Sequence, residues 1–206
     1  MQELSITIIQ LFVMFCYDLS LFRGIDDRFG FLCPIVVQGI EYTREDIIYY
    51  IGSTIKEVYK QCWLAPIREG NHWTLCAFCP QSNIIYWFDS LGGKQSNDIV
   101  KVFAEAHEMY QINGRKNIKW LRPNYRRQLG EKESGYYIMR YMYDIIDLNE
   151  ADSLDKHFNS PQCYSQEDIN FILNKWSAYL LRLRGLHLDW PLKRRKSFDG
   201  ILFGCT

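Results

Sequence analysis

Two short apolar runs separated by a turn constrain the fold of this chain more than any other feature. The runs are His72–Phe78 and Ile84–Asp89, and both are rich in aromatic and β-branched residues. Between them, Cys79-Pro-Gln-Ser-Asn83 carries typical turn residues. This pattern predicts an antiparallel hairpin. If the turn is centred near its proline, positions 72 and 89 lie directly opposite each other, with Cβ atoms roughly 5 Å apart on one face.

Helical patterns flank the hairpin on both sides, so the chain is predicted to be an α+β protein. Phe31–Tyr42 contains Pro34 and Gly39 and is expected to be irregular or a short strand. The predicted helices cover Ile6–Phe22, about Thr43–Gln61 with Thr43 as cap, Asp98–Tyr110 capped by Asn97, Gly135–Ile146, and Ser165–Leu183 with a Ser-x-x-Asp capping signal. Further short strands are expected at Cys62–Pro66 and Ile118–Leu121.

Length and composition indicate one ordinary domain. The chain has 206 residues, and its 48% apolar content suffices for a sizeable core. We assign residues 1–185 to this domain, with an N-terminus that is short, and residues 186–206 to a basic tail. The 24 basic and 24 acidic side chains balance, so overall charge gives no argument for nucleic-acid binding. The basic run Lys193–Lys196 is expected to be solvated, with a nuclear-import signal as the alternative.

The cysteines and the N-terminal apolar segment indicate the cellular compartment of the protein. Seven cysteines at irregular spacing, several inside apolar runs, indicate reduced thiols and a nuclear or cytoplasmic protein. Cys76-Ala-Phe-Cys79 has no second pair at zinc-site spacing, so no metal or other cofactor is expected. The apolar segment Ile6–Phe22 is short for a membrane span and is interrupted by Gln10 and Asp18. We therefore expect a core helix and no membrane partner.

Four polar residues have the types needed for nucleophilic attack on an amide. Such attack requires a nucleophile, a base for its proton, and donors for the developing oxyanion. His72 can be the base, and Asp89 can fix its tautomer. Gln128 offers an amide donor six residues before Ser134, which stands where a helix begins. The positive end of a helix dipole lowers the pKa of a cysteine there, whereas a serine hydroxyl ionises too weakly to benefit.

The order of these residues resembles a known family. His72-Trp73, an aspartate seventeen residues later, and Gln-x5-nucleophile-Gly-x-Tyr resemble the SUMO-specific, ubiquitin-like-protein proteases, which are related to adenovirus-type proteases. The run Gly-Tyr-Tyr-Ile-Met-Arg-Tyr-Met is similar to plant members often carried by transposable elements. The resemblance covers roughly residues 30–183. It departs from the family at Ser134, where the family has its cysteine.

The resemblance implies a papain-like fold, in which a central mixed sheet carries His72 and Asp89 and a helix begins at the nucleophile position. It implies Gln128 in the oxyanion hole and Trp73 in a narrow tunnel that admits only a Gly-Gly tail. The implied partner is SUMO or another ubiquitin-like protein ending in Gly-Gly. The implied reaction is cysteine-type peptidase or isopeptidase cleavage after that tail.

Serine at position 134 leaves three interpretations open. The domain is a peptidase that is inactive or severely impaired, a catalytically silent module that still binds a ubiquitin-like protein, or a relic without function. The serine is compatible with a natural change and with an engineered one. Each residue also has an ordinary structural interpretation, with Ser134 as an N-cap, His72 as a structural histidine and Trp73 as core. The tyrosines after Ser134 are expected to pack their helix.

Overall fold

We describe the fold from a computed structural model, which describes residues 3–39, 41–112, 117–151 and 153–185. The predicted basic tail, residues 186–206, lies outside them. The helices are α1 Ile6–Arg23, α2 Pro34–Val37, α3 Arg44–Glu57, α4 Asn97–Met109, α5 Ser134–Leu148, α6 Leu154–His157 and α7 Gln166–Gly185. The strands are β1 Phe29–Phe31, β2 Cys62–Glu69, β3 His72–Cys79, β4 Ile84–Phe88 and β5 Lys119–Leu121.

The strands form one five-stranded sheet in the order β1-β2-β3-β4-β5. The three central strands pair antiparallel, and each outer strand pairs parallel with its neighbour. The sheet is therefore mixed, which confirms the α+β prediction with a central mixed sheet and flanking helices.

Apolar side chains cover both faces of this sheet and form two separate cores. Along β3, Leu75 and Ala77 belong to a core shared with α1, α5 and α7, whereas Cys76 and Phe78 belong to a core shared with α3 and α4. Successive residues of a strand point to opposite faces, so a strand that is buried on both sides is apolar at nearly every position. This explains why β3 has an almost uninterrupted apolar sequence.

The hairpin forms as predicted, but with a register shifted by two residues. Four residues, Pro80–Asn83, connect the strands, and Cys79 pairs with Ile84 and Leu75 with Phe88. Continuing this register places Asp89 opposite Thr74 instead of His72. Asn83, the last residue of the connection, adopts a left-handed φ of 53°. Because the side-chain period is two, the shift leaves positions 72 and 89 on the same face.

Most helix boundaries differ from the sequence prediction by one to four residues, and those of α3 and α4 show the cause. The capping box of Thr43 and Asp46 is present, but α3 ends at Glu57 instead of near Gln61. The chain turns into the sheet there, because the N–H groups of Gln61 and Cys62 both donate to the Arg28 carbonyl. The N-cap of α4 is Ser96, whose side chain accepts from the Ile99 N–H, and Asn97 is the first helical residue.

The segment predicted to be irregular or a short strand contains two elements. Strand β1 ends at Phe31, and the short helix α2 then begins at Pro34. Proline is favoured in the first turn of a helix because its missing N–H would have no partner there.

The N-terminal helix α1 packs in the core. By length and composition alone it could cross a membrane. In the structure, however, Ile9, Phe12, Val13 and Cys16 are completely buried in the core that α1 shares with α5 and α7. Gly24 ends the helix in the left-handed conformation with a φ of 67°.

Candidate active site

His72 and Asp89 meet at the open end of the hairpin. His72 is the first residue of β3, and Asp89 directly follows β4. His72 Nε2 lies 2.6 Å from Asp89 Oδ1, and the Leu91 N–H donates to the same oxygen at 2.9 Å. The carboxylate is almost buried, while about a quarter of the imidazole, 23%, remains exposed. The hairpin thus orients the histidine through one of its two ring nitrogens.

The environment of Asp89 favours its charged form. Burial raises the pKa of this carboxyl, but the hydrogen bonds from His72 and from the N–H groups of Leu91 and Gly93 outweigh burial and lower it below the ordinary value. Gly93 also leaves room for the carboxylate, since a Cβ there would lie 2.5 Å from Asp89 Oδ2. An aspartate that stays ionised can stabilise a protonated imidazole next to it.

Ser134 is the first residue of α5, so its backbone stands at the positive end of the helix dipole. The N-cap position belongs to Glu133, which makes no side-chain capping bond, so the N-cap interpretation of Ser134 is wrong. The Ser134 Oγ instead accepts a hydrogen bond from the Trp73 N–H at 3.0 Å. This bond places the side chain of position 134 against the residue that follows His72.

The second nitrogen of His72, Nδ1, is buried, and among the described residues no donor or acceptor reaches it. With the Nε2 proton donated to Asp89, Nδ1 carries the lone pair and is the nitrogen available to accept a proton. A buried polar atom without a partner often marks a functional site. Ser134 binds the main chain of Trp73, the residue next to this histidine.

Gln128 lies beside the segment that follows Asp89. Its N–H donates to the Ser90 carbonyl at 3.0 Å, and its side-chain Oε1 accepts from the Ser90 hydroxyl. Nε2 donates one hydrogen to the Gly130 carbonyl at 2.6 Å. A primary amide has two such hydrogens. The second has no partner in the part of the chain that is described, so it is available to a ligand.

Trp73 is fully buried, with 1% of its surface exposed. Its Nε1 donates to the Leu4 carbonyl at 2.9 Å, and the Arg68 guanidinium lies 5.9 Å from its ring centroid. Leu4 also packs against Gly135, where a Cβ would approach the leucine side chain to 2.9 Å. The tunnel role of Trp73 therefore stays a prediction, because its ring forms no exposed wall in this structure.

Several residues that shape the site were not identified from the sequence. Ser90 contacts Gln128 and Gly93 contacts Asp89, yet neither was a candidate site residue from the sequence. A signal was present in Asp-Ser-Leu-Gly-Gly, since small residues after a buried carboxylate allow main-chain N–H groups to surround it. Among residues 3–39, 41–112, 117–151 and 153–185, no group of three His, Cys, Asp or Glu side chains is placed to hold a metal ion.

Comparison with known proteins gives matches only among solved structures. No family model and no curated protein matches the chain. A de-sumoylating protease superposes with a TM-score of 0.59 at 15% identity, covering 90% of this chain and 85% of that one. The C-terminal Ulp1 protease domain, solved in complex with Smt3, the yeast ortholog of SUMO, gives 0.58 at 16% identity, covering 89% and 78%.

The effector protein XopD of Xanthomonas campestris, solved bound to ubiquitin, gives a TM-score of 0.57 at 12% identity, covering 86% of this chain and 91% of that one. Each match covers most of both chains, so the similarity concerns a whole domain. The chain therefore has the fold of the Ulp1-like SUMO protease family.

Proposed function

We propose that this domain is a ubiquitin-like-protein peptidase scaffold of the cysteine type, silenced or severely impaired by the serine at position 134. The proposal rests on the His72–Asp89 pair and its neighbourhood. The residue that follows His72, Trp73, donates its N–H to Ser134, the first residue of α5. A base, an orienting carboxylate and a helix N-terminus converge at this position. The substrate class is SUMO or another ubiquitin-like protein that ends in Gly-Gly.

The chemistry of the two nucleophiles explains why serine should silence such a site. A thiol next to an imidazole at a helix N-terminus loses its proton readily, and the thiolate attacks the carbonyl carbon. A hydroxyl with a far higher pKa must instead transfer its proton during the attack. Removing an effective nucleophile from a hydrolase reduces kcat by up to about a million-fold.

The test compares the protein with its Ser134→Cys variant on SUMO and on ubiquitin, each fused to a fluorogenic leaving group. We expect the cysteine variant to cleave at least one substrate and to exceed the parent by about a thousand-fold or more, because lacking an effective nucleophile costs a hydrolase most of its rate. Ser134→Cys combined with His72→Ala is the matched control and should be inactive. Absence of cleavage by the cysteine variant on every modifier would contradict the proposed chemistry.

A second candidate function is binding without hydrolysis. Two exposed leucines favour it, Leu91 at 55% and Leu129 at 87% exposure. Leu91 directly follows Ser90, and Leu129 directly follows Gln128. Because Ser90 and Gln128 are hydrogen-bonded to each other, both leucines lie on the two loops that border the site. Apolar side chains at such a rim are available to a bound protein.

Titration calorimetry with SUMO and ubiquitin tests this candidate. Ser134→Ala should leave the affinity unchanged, because the hydroxyl contributes little to a protein-sized interface. Leu129→Asp should weaken binding by about ten-fold or more, because a leucine that the bound protein would cover then carries a charge. Leu181→Asp is the matched control, since Leu181 is 67% exposed on α7. Equal effects of both leucine variants would contradict binding at this rim.

A further inference from the structure

The segment that carries Gln128 belongs to no helix or strand, yet three hydrogen bonds hold its main chain. The Tyr141 hydroxyl donates to the Arg126 carbonyl, and the Tyr137 hydroxyl donates to the Arg127 carbonyl at 3.2 Å. The Gln128 N–H donates to Ser90. Three consecutive residues are therefore fixed, the first two by helix α5 and the third by the loop that follows Asp89.

The two tyrosines are well placed for this task. They are four residues apart on α5, so they lie on the same side of the helix that begins at Ser134. Both are buried, and their ring centroids are 6.1 Å apart. Burial raises the pKa of both hydroxyls, so each remains a donor throughout the physiological pH range. The Tyr137 hydroxyl also accepts from the Tyr164 N–H at 3.2 Å, which fixes its direction.

Apolar packing alone does not require these hydroxyls. Phenylalanine would fill the same space, but it would leave the carbonyls of Arg126 and Arg127 without these donors. A packing role also does not explain why two successive hydroxyls end on two successive carbonyls immediately before Gln128. We call these two hydrogen bonds, from Tyr137 to Arg127 and from Tyr141 to Arg126, the clamp. They connect the helix that begins at Ser134 to the segment that carries the Gln128 amide.

We propose that Tyr137 and Tyr141 are positioning residues for Gln128. Helix α5 then sets two parts of the site together: its first residue is the nucleophile position, and its tyrosines fix the distance from that residue to the amide donor. An oxyanion donor must stand within a few tenths of an ångström of its place to stabilise a transition state. The effect of the clamp on catalysis rests on the proposed function, whereas its restraint of the main chain before Gln128 does not.

The first experiment measures hydrogen exchange of the Gln128 N–H in the protein as it stands. Tyr137→Phe and Tyr141→Phe should each speed this exchange by about five- to ten-fold relative to the Ile138 N–H, the loss expected for one hydrogen bond. Tyr143→Phe is the matched control, because Tyr143 is a buried tyrosine of the same helix whose ring packs on Phe171. If all three variants change the Gln128 exchange equally, the clamp is wrong.

The second experiment measures cleavage in the Ser134→Cys background. Each clamp variant should lower kcat by about ten-fold and leave KM unchanged, because an oxyanion donor acts mainly in the transition state. The loss should vanish when Gln128→Ala is already present, since the tyrosines act through that amide. A loss that persists with Gln128→Ala, or that falls on KM alone, overturns the positioning role. If Ser134→Cys cleaves nothing, the proposed function fails, and the exchange experiment alone decides whether the clamp exists.

Discussion

Asp89 receives hydrogen bonds from a side chain and from two main-chain groups, and these favour its charged form. The Nε2 of His72 and the N–H groups of Leu91 and Gly93 together lower its pKa despite burial. The carboxylate can therefore hold the histidine in one tautomer, with the Nε2 proton directed to it and Nδ1 left as the base. A neutral amide at this position would have the same shape but would also offer an N–H to the histidine.

Asp89→Asn should consequently remove most activity without removing the fold. In the Ser134→Cys background we expect kcat to fall on the order of 10³–10⁴-fold, because the wrong tautomer of His72 is stabilised. The measurement is kcat on the fluorogenic substrate, with circular dichroism to confirm that the variant is folded. An asparagine variant that keeps its activity would show that Asp89 does not set the tautomer.

Gly93→Ala should disturb the His72–Asp89 pair by displacing the carboxylate. The new Cβ would lie 2.5 Å from Asp89 Oδ2, so the carboxylate must move away from His72. In the Ser134→Cys background we expect kcat on the fluorogenic substrate to fall in this variant, because the displaced carboxylate no longer orients the imidazole. Gly185→Ala is the control, because a Cβ there meets no atom within 4 Å. An unchanged kcat in Gly93→Ala would show that the position of the carboxylate does not depend on the glycine.

At the scale of elements, α3 shows how a local signal fixes one end of a helix. The Thr43 hydroxyl accepts from the Asp46 N–H while the Asp46 carboxylate accepts from the Thr43 N–H. We expect Thr43→Ala to lower the free energy of unfolding by about 1 kcal/mol. Thr43→Ser should retain most of it, because the serine hydroxyl makes the same bond. Urea denaturation checks both variants, and an equal loss in both would rule out the capping bond as the cause.

The sequence predicted elements better than their ends, and residue types better than their partners. The cap of α3 depends on adjacent residues and was predicted, whereas its end at Glu57 depends on Arg28, far away in the chain. The face shared by His72 and Asp89 follows from strand periodicity, but the register depends on which residues form the connection, which the sequence did not specify. The tyrosines of α5 were expected to pack, but the carbonyls that they bind become visible only in three dimensions.

At the scale of the whole molecule, the sheet carries the two cores on its faces and the candidate site at one end of its central hairpin. The other end of that hairpin is fixed by a different histidine. His107 of α4 is buried, and its Nε2 lies 2.9 Å from the Oδ1 of Asn83 in the β3–β4 connection. Both ends of the hairpin are thus held by histidine contacts, one partly exposed and one in the core.

The buried histidine should make stability depend on pH. Burial lowers the His107 pKa, so the unfolded chain binds its proton more readily than the folded chain does. Stability from this group is therefore fully present above the unfolded pKa of about 6.5 and is lost as the pH falls from there toward the lower folded pKa.

We expect the free energy of unfolding, measured by urea denaturation between pH 8 and pH 5, to decrease with falling pH. The decrease should be smaller in His107→Gln, which can still donate a hydrogen bond to Asn83 but does not titrate. The carboxylates with lowered pKa values, such as Asp89 and Asp168, lose their contribution only below about pH 4 and do not interfere in this window. Parallel stability curves for the parent and the glutamine variant would mean that another group causes the dependence. The α4–hairpin contact would then be insensitive to protonation.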